Sequence, residues 1–427
     1  ESAVFHMLKE VPGTFDYVCM LFPNFPLRTE HEITGSFKEM KNKFTKISIS
    51  LHESVKILFS LVDYLIWFLF DPAKFKIIKT QKIKRILIVL INQEKGNVGG
   101  DFVTLGILNY FKTQYPDIEI SMLSDEKTIK QFGSVKKINF IKYSGKESIK
   151  ELKVQNFDAV LFFDLGKLKI KNFFFIQYKI GETEFGLSGF LSREKFGYTR
   201  KVYSRIKNHM VGGRFKMFEA LGFKFPEKKL IFEYSKEDEN NADKFIKKNK
   251  IKKFIVIHPG GKYVAESYKQ GKWPPHLWNL DRYAKVADYF SKKDYNIIIT
   301  GTKEESILAE EIKKYSKNKN KIISACGKLS IKEAGALLKR SKLLIATDTA
   351  IVHLAYQDPV NAKIIELMGP SIPEVVGAWP LNSSRHKILV DKGPCCRSMR
   401  KLPFKDNFNC LKNIKVDDVI KTGEGLL

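Results

Sequence analysis

Cysteine is scarce in this sequence: five residues in 427, namely Cys19, Cys326, Cys395, Cys396 and Cys410. Their positions form no regular framework of paired spacings, which argues against a disulfide-stapled secreted fold and suits a reducing compartment. Two adjacent cysteines followed by a distant third are also a poor zinc-finger spacing. We therefore predict structural cysteines, no bound metal and no cofactor.

The apolar runs are too short to predict a membrane-spanning helix. ILFSLVDYLIWFLF at 57–70 contains Asp63 and falls short of the ~18 to 20 residues that a span needs. The strongly basic segment 71–85 follows it, and an apolar aromatic helix beside cationic residues is typical of an anchor on an anionic membrane surface. The alternative is a buried helix with a solvated linker. Residues 1–45 lack the succession of regions found in a signal peptide.

Acidic residues are outnumbered, with 47 Asp and Glu against 74 Lys and Arg and a net charge of +27. This excess predicts an anionic partner, which is a nucleic acid, a phosphorylated lipid surface or a phosphate-bearing substrate. A compositionally biased genome also produces lysine-rich chains, so the net charge alone does not distinguish among these partners. The sequence contains no recognisable nucleic-acid-binding module, and we expect no nucleic-acid partner.

Buried strands and amphipathic helices alternate from residue 83 onward, a pattern that predicts parallel sheets covered by helices. The strand-like runs are 83–91, 118–125, 136–141, 158–165, 254–261, 295–301, 342–348 and the start of 364–380. A lysine- and aromatic-rich region, 166–230, interrupts the series. The prediction is an α/β fold of two Rossmann-like domains facing across a cleft. Its parts are an N-terminal extension with a helical segment at 1–80, domains at 81–240 and 250–400, and a tail at 401–427.

The first strand is followed by a glycine-rich turn, GNVGGD at 96–101. Its glycines let the backbone approach another molecule, and Asp101 lies at or near the start of the next helix. A helix N-cap is the alternative for this acid. The glycine spacing matches neither a dinucleotide fingerprint nor a Walker loop.

A second turn, HPGG at 258–261, precedes a polar segment with hydroxyl and ammonium donors. The candidate donors to a pyrophosphate are Gly260, Gly261, Ser267, Lys269 and Lys272. The alternative for the lysines is plain solvent exposure. WPP at 273–275 is predicted to begin a helix that continues to Phe290.

Two more strand ends carry acids. Glu304 and Glu305 follow one strand, where they would accept a ribose hydroxyl or cap a helix. Asp348 ends another, and Thr349 begins a helix whose free amides suit a diphosphate. His353 falls one turn after Thr349 on the same face, with a structural hydrogen bond as its alternative role.

In this order, the motifs resemble glycosyltransferase family 9, the heptosyltransferases of bacterial lipopolysaccharide assembly. The matching segments are GxxGGD at 96–101, HPG at 258–260, KWPP at 272–275, GxxxE at 301–305, DTxxxHLA at 348–355 and GPSxP at 369–373.

The resemblance implies a GT-B fold with an N-terminal acceptor domain and a C-terminal donor domain. It implies an inverting, metal-independent transfer of heptose from ADP-heptose to a lipopolysaccharide-core glycolipid, by an enzyme peripheral on the inner face of the cytoplasmic membrane. Asp101 would be the general base, and Lys272 would stabilise the leaving ADP. The donor side comprises Gly260, Ser267, Lys269, Glu305, Asp348, Thr349, Ala350 and His353, and the acceptor side begins with Gly99 and Gly100. The basic residues at 166–216, among them Arg193, Arg200 and Arg214, would suit an anionic glycolipid acceptor, with a solvated basic surface as the alternative.

Two departures from the family pattern stand out. The family usually has glycine where this chain has Ala350, and its lysine commonly lies two residues before the tryptophan, where this chain has Gly271. A degenerate, non-catalytic member is therefore one alternative. The others are a glycosyltransferase of the same fold with another nucleotide-sugar or acceptor, and a basic nucleic-acid- or membrane-binding protein without activity.

Overall fold

The computed structural model describes residues 83–91, 98–132, 138–164, 173, 176, 178–184, 200–204, 209–274, 276–381, 383–391 and 411–427. All of them belong to one compact unit, Ile66–Leu427. The predicted N-terminal anchor, Arg193 and every cysteine except Cys326 lie outside the described residues. Within the described part, no helix combines the length and the apolar character needed to cross a membrane.

Among the described residues, the first half of this unit contains six strands and four helices. The strands are β1 (Arg85–Leu90), β2 (Glu119–Ser124), β3 (Asn139–Lys142), β4 (Ala159–Asp164), β5 (Tyr178–Glu184) and β6 (Arg200–Ser204), and the helices are α1 (Val98–Gln114), α2 (Glu126–Phe132), α3 (Lys146–Lys153) and α4 (Met210–Ala220). All strands are parallel, in the order β3-β2-β1-β4-β5-β6. The central runs are almost entirely apolar because helices cover both faces of a parallel sheet.

The region 166–230 does not interrupt the sheet as the sequence suggested, because β5 and β6 extend it. Their sequences, YKIGETE and RKVYS, are rich in charged residues. Strands toward the edge of a sheet are less apolar than central ones, and the continuous hydrophobic signal of the core is lost there.

The second half repeats the arrangement. Its strands are β7 (Phe254–His258), β8 (Asn296–Ile299), β9 (Ile322–Ser324), β10 (Leu344–Thr347), β11 (Ile364–Met368) and β12 (His386–Val390). Its helices are α5 (Lys236–Lys248), α6 (Lys262–Lys269), α7 (Leu280–Lys292), α8 (Ser306–Tyr315), α9 (Ile331–Arg340), α10 (Ala350–Ala355), α11 (Pro373–Val376) and α12 (Val416–Leu426). The strand order is β12-β11-β10-β7-β8-β9, again all parallel.

Both sheets have the doubly wound order of a Rossmann fold, with the direction of winding reversing between β1 and β4 and between β7 and β10. In such sheets ligands bind beyond the carboxyl ends of the strands at the point of reversal. The GGD turn after β1, the HPG turn after β7 and the segment after β10 all lie at these points. The predicted motifs are therefore on the ligand-binding side of each sheet.

The prediction that WPP begins a helix was wrong. Helix α7 begins at Leu280 after the N-cap Asn279, while the unpredicted helix α6 precedes the motif. Gly271, with φ 73°, ends α6, and the Lys272 amide donates to the Ser267 carbonyl at 3.0 Å, as in a Schellman cap. The start of α7 is delayed because Trp278 is buried, with its indole N–H donating to the Ile414 carbonyl at 3.1 Å.

The two halves share an apolar core, because α1 of the first half packs against residues of the second. The Phe102 and Phe232 rings meet edge to face at 5.9 Å. Backbone bonds hold the connecting segment on both sides: the Ile231 amide donates to Gly106 at 3.0 Å and the Phe232 amide to the Asp358 carbonyl at 2.8 Å. The ends of the two sheets are thereby held in a fixed relation.

A substitution at Gly106 can test the packing between the two halves. A β-carbon at Gly106 would lie 2.2 Å from Gln357 Oε1 and 3.0 Å from Leu230 Cβ. We expect Gly106→Ala to lower the free energy of unfolding by about 1–3 kcal/mol, because the added methyl group overpacks this contact. The measurement is urea denaturation, with Gly212→Ala as the control.

Gly212 is also a helical glycine, in α4, and a β-carbon there meets nothing within 4 Å. Its replacement should be neutral or slightly stabilising through helix propensity. Equal effects at the two positions would contradict the proposed overpacking.

Candidate active site at the strand ends

Asp101 lies in the first turn of α1 and is 5% exposed. It is the fourth residue of that helix, so the N-cap alternative for Asp101 does not hold, although its negative charge favours a helix N-terminus. The preceding carbonyl, Gly100 O, accepts hydrogen bonds from Arg214 Nη1 at 2.5 Å and from Thr104 Oγ1 at 3.0 Å. These contacts fix the turn that carries the candidate base.

The same turn touches the second half of the protein. A β-carbon at Gly99 would lie 2.5 Å from His353 Cδ2 and 3.6 Å from the Ala350 α-carbon. Only a residue without a side chain fits this approach. The contact brings the predicted acceptor-side glycines within van der Waals reach of the predicted donor-side helix α10.

His353 is buried at this contact, with Nδ1 3.2 Å from the Tyr356 hydroxyl. Burial lowers the pKa of His353 to about 4, although the negative charge of Asp348 acts in the opposite direction. The imidazole is therefore neutral at neutral pH. The geometry agrees with the structural hydrogen-bonding role that the sequence left open.

Asp348 is half-buried at the end of β10, and Thr349 is the extended N-cap of α10, with φ −148°. Ala350 is the first residue of the helix, a conformation that alanine adopts readily. The departure from the family's glycine therefore strains no backbone here. A β-carbon at this position is compatible with the fold as it stands.

Gln357 joins the two helices that meet at the site, a role that the sequence reading missed. Its Nε2 donates to the His353 carbonyl at 2.8 Å and to the Phe102 carbonyl of α1 at 3.1 Å. No short sequence motif predicts this role, because the hydrogen-bond partners of Gln357 are backbone carbonyls far apart in the chain.

His209 and the segment 377–379 form a second link across the halves. The Val211 amide donates to His209 Nδ1 at 3.2 Å, so Nε2 carries the proton and donates to the Gly377 carbonyl at 2.7 Å. The ring lies 4.7 Å from that of Trp379, whose indole N–H donates to the Lys228 carbonyl at 2.9 Å. The sequence did not predict this bridge.

Glu366 is fully buried in β11, and its Oε2 accepts the Ala378 amide at 2.8 Å. Burial, and to a lesser degree the charge of Asp348, raises the pKa of Glu366 well above its ordinary value. A sequence signal for this residue exists, since Glu366 is a single acid inside the apolar strand IIELM.

A third cluster lies at the ends of β7 and β8. His258 Nδ1 is 3.1 Å from Thr300 Oγ1, and its Nε2 is 3.8 Å from Glu305 Oε1. Glu305 is buried, and its Oε2 accepts the Thr302 amide at 2.7 Å in a capping box. The capping alternative for Glu305 is thus present, and burial lowers the pKa of His258 despite the nearby carboxylate.

For the remaining predicted residues, the structure gives an element and a degree of burial. Lys269 and Lys272 are exposed at and after the end of α6, and Ser267 is half-buried within it. Gly260 is buried, and a β-carbon there would lie 2.7 Å from Val264 Cγ1. Arg200 belongs to β6. In the described part of the chain, no group of three or more His, Cys, Asp and Glu side chains is arranged to hold a metal ion.

Comparison with known proteins agrees with this geometry. The family model for glycosyltransferase family 9 (heptosyltransferase) matches residues 146–404. Lipopolysaccharide heptosyltransferase 3 of Escherichia coli strain K12 is 22% identical over 349 residues, which are 77% of this chain and 95% of that protein.

Solved structures show the same fold. A family 9 glycosyl transferase from Veillonella parvula DSM 2008 superposes with a TM-score of 0.63 and 21% identity, over 80% of this chain and 97% of the other. The ADP-heptose lipopolysaccharide heptosyltransferase II of Escherichia coli gives 0.58 and 14%, over 81% and 98%.

Two parallel sheets of Rossmann order with apposed ligand-binding ends form a GT-B fold, and the family model identifies the chain as a glycosyltransferase. The family match covers more than half of the sequence. This chain belongs to glycosyltransferase family 9.

The buried histidine at the contact predicts a pH dependence. Since the pKa of His353 is lowered from 6.5 to about 4, the unfolded chain takes up a proton between these pH values that the folded protein excludes. We expect the unfolding free energy to fall by about 1.4 kcal/mol per pH unit as pH drops through this window. His353→Gln should lose this contribution in urea titrations at pH 7, 6 and 5.

Tyr356→Phe is the matched control, because it removes the hydroxyl beside His353 Nδ1 and leaves the imidazole titratable. That variant should retain the acid sensitivity of the wild type. The same pH dependence in wild type and His353→Gln would show that His353 does not titrate in this way.

Proposed function

We propose that this protein transfers a heptose from ADP-heptose to a lipopolysaccharide-core glycolipid, with inversion and without a metal ion. Family membership and the similarity to lipopolysaccharide heptosyltransferase 3 support the sugar and the acceptor class. The name of the structural relative, ADP-heptose lipopolysaccharide heptosyltransferase II, supports the donor. The observation that carries the proposal is the contact of Gly99 with Ala350 and His353, which sets Asp101 beside the proposed donor side.

Asp101 acts as general base in this reaction. It removes the proton from an acceptor hydroxyl as the oxygen bonds to the anomeric carbon, and the bond from that carbon to ADP breaks with inversion. Its surroundings suit a fixed position, since Arg214 and Thr104 hold the neighbouring Gly100 carbonyl. A base that is already oriented lowers the entropic part of the barrier.

The ADP leaving group requires cationic and hydrogen-bonding partners. Lys272 and Lys269 are exposed on the polypeptide that follows the HPG turn, and an ammonium group pairs well with a diphosphate. Ser267 adds a hydroxyl, and Glu305 is assigned to a ribose hydroxyl. The other donor-side residues are Gly260, Asp348, Thr349, Ala350 and His353.

The acceptor side is assigned to the first half. Gly99 and Gly100 precede Asp101 in the first turn of α1 and are assigned to the acceptor side with it, and Arg193 and Arg200 would supply positive charge for an anionic glycolipid. Arg214 reaches Gly100 O and also lies over the Phe163 ring at 5.6 Å, so it both positions the turn and adds charge there.

The acceptor class also implies a location. An enzyme that modifies a membrane glycolipid with a cytoplasmic nucleotide-sugar works at the inner face of the cytoplasmic membrane. The net charge of +27 favours peripheral contact with an anionic lipid surface. We therefore propose a cytoplasmic enzyme bound peripherally to that membrane.

Nucleotide selectivity is the first test. Calorimetric titration without metal should show ADP binding more tightly than UDP or GDP. Lys272→Ala or Lys269→Ala, whichever lysine meets the diphosphate, should weaken ADP by about 10- to 100-fold, the equivalent of one charged hydrogen bond. Lys285→Ala, which removes an exposed lysine of α7 paired with Asp281, is the control.

Preference for UDP or GDP would retain the GT-B fold and overturn the ADP-heptose assignment. The absence of binding by all three nucleotides would favour the degenerate alternative.

The base assignment is tested by Asp101→Asn, which preserves shape and removes proton affinity. We expect kcat to fall by about 10²- to 10⁴-fold while the donor KM stays near the wild-type value. Transfer from ADP-heptose to a truncated core glycolipid provides the assay.

Asp125→Asn is a matched control, because Asp125 is an acid that caps the first turn of α2 by accepting the Thr128 amide at 3.0 Å, and asparagine caps equally well. Full activity of Asp101→Asn would exclude Asp101 as the base.

A further inference from the structure

Glu366 is an acid in an otherwise apolar central strand. It stands in register with Ala346 of β10 and is completely buried. Its Oε2 accepts the Ala378 amide at 2.8 Å, whereas Oε1 has no hydrogen-bond partner among the described residues. A buried charged carboxylate with so little compensation is strongly disfavoured, so the position calls for an explanation beyond packing.

The residues on each side of Ala378 contact the first half of the protein. The Gly377 carbonyl accepts the N–H of His209 Nε2, and the Trp379 ring packs on the same imidazole. Glu366 therefore holds, from the core of the second sheet, the segment 377–379 that meets His209.

The contacts continue from His209 toward the candidate base. His209 is the N-cap of α4, and the Arg214 guanidinium of the same helix donates to the Gly100 carbonyl beside Asp101. A continuous series of hydrogen bonds and one helix thus connects Glu366 in the second half with the Asp101 turn in the first.

We propose that Glu366 is a positioning residue for glycosyl transfer: by fixing the Ala378 amide it holds the segment 377–379 against His209, and through α4 it sets where Asp101 stands relative to the donor. The kinetic part of this inference rests on the proposed function. Glu366 does not contact the substrates.

The carboxyl works in its neutral form. Burial and the charge of Asp348 raise the pKa of Glu366 well above 4.5. The groups that interact with it are Asp348 after β10 and Tyr356 at the end of α10, and the His386 ring of β12 lies 6.1 Å from that of Tyr356. A neutral acid keeps an acceptor for the Ala378 amide without placing a second negative charge near Asp348.

The first experiment needs no substrate. Above pH 4.5 the unfolded chain releases the Glu366 proton that the folded protein retains, so wild-type stability falls as pH rises. The Glu366→Gln variant has no carboxyl proton to release, so its stability should not fall with pH in this way. In urea titrations between pH 5 and 8, the unfolding constant of the wild type relative to Glu366→Gln should rise by about tenfold per pH unit until the folded carboxyl ionises. A ratio that does not change with pH would show that the folded carboxyl is ionised and would overturn its neutral form, while the kinetic variants below decide the positioning role.

The second experiment separates positioning from stability. Glu366→Met removes the acceptor for the Ala378 amide, and we expect kcat per folded molecule to fall by about 10- to 100-fold, because small misplacement of a catalytic group is costly. The donor KM should change little. Glu366→Gln, whose amide oxygen still accepts from Ala378, should restore kcat. Wild-type kcat in Glu366→Met would overturn the positioning role.

His209→Asn tests the route. Asparagine preserves the N-cap of α4 and is too short to reach the Gly377 carbonyl, so kcat should fall as in Glu366→Met. The double variant should lose no more than the larger single loss, since both changes break one series of contacts. Additive losses would overturn the route through His209.

The experiments distinguish a failure of the proposed function from a failure of the proposed role of Glu366. If the wild type transfers no heptose from ADP-heptose, the proposed function fails, while the pH dependence of unfolding still decides whether Glu366 is neutral in the fold. If Glu366→Met does not fold, Glu366→Gln and His209→Asn still supply the stability and kinetic readouts.

Discussion

The close approach of α1 to α10 is the constraint on which the site depends. Gly99 leaves no space for a side chain against His353, so the turn that carries Asp101 and the helix that follows Asp348 occupy fixed positions. Gln357 reinforces the contact with bonds to one carbonyl on each helix. If the acceptor and the donor bind to separate sheets, as we propose, transfer requires such a fixed relation, because reacting groups must be placed to within a fraction of an ångström.

Burial then determines the charge states around this contact. His353, His209 and His258 are all buried, and their pKa values are all lowered by desolvation. Burial acts in the opposite direction on the carboxyl of Glu366 and raises its pKa well above the ordinary value. Asp348, by contrast, is only half-buried. The buried histidines therefore contribute no positive charge near neutral pH, so a bound diphosphate would depend on lysine and backbone N–H groups for its charge stabilisation.

The sequence predicted the repeating parts of this fold because they have strong local signals. Central strands such as Arg85–Leu90 and Ile364–Met368 are continuous apolar runs, and the motifs at their ends follow a known order. The edge strand Arg200–Ser204 was missed because its sequence, RKVYS, has no continuous apolar run. Helix α6 was not predicted, because the proline-containing motifs before and after it, HPG and WPP, are typical of loops. The links through Gln357, His209 and Glu366 were invisible because each joins residues distant in the chain, which only the folded structure brings together.

The C-terminal segment adds a constraint on how the second sheet forms. Helix α12 lies against α7 so closely that a β-carbon at Gly423 would be 2.7 Å from the Phe290 ring, and the Ile414 carbonyl receives the buried Trp278 indole. Domains that emerge from the ribosome fold as their cores become complete. The first sheet can be assembled during synthesis, but the core around Phe290 stays open until residues 416–426 have emerged. A chain truncated before residue 416 would therefore expose the apolar side chains that α12 covers, among them Phe290.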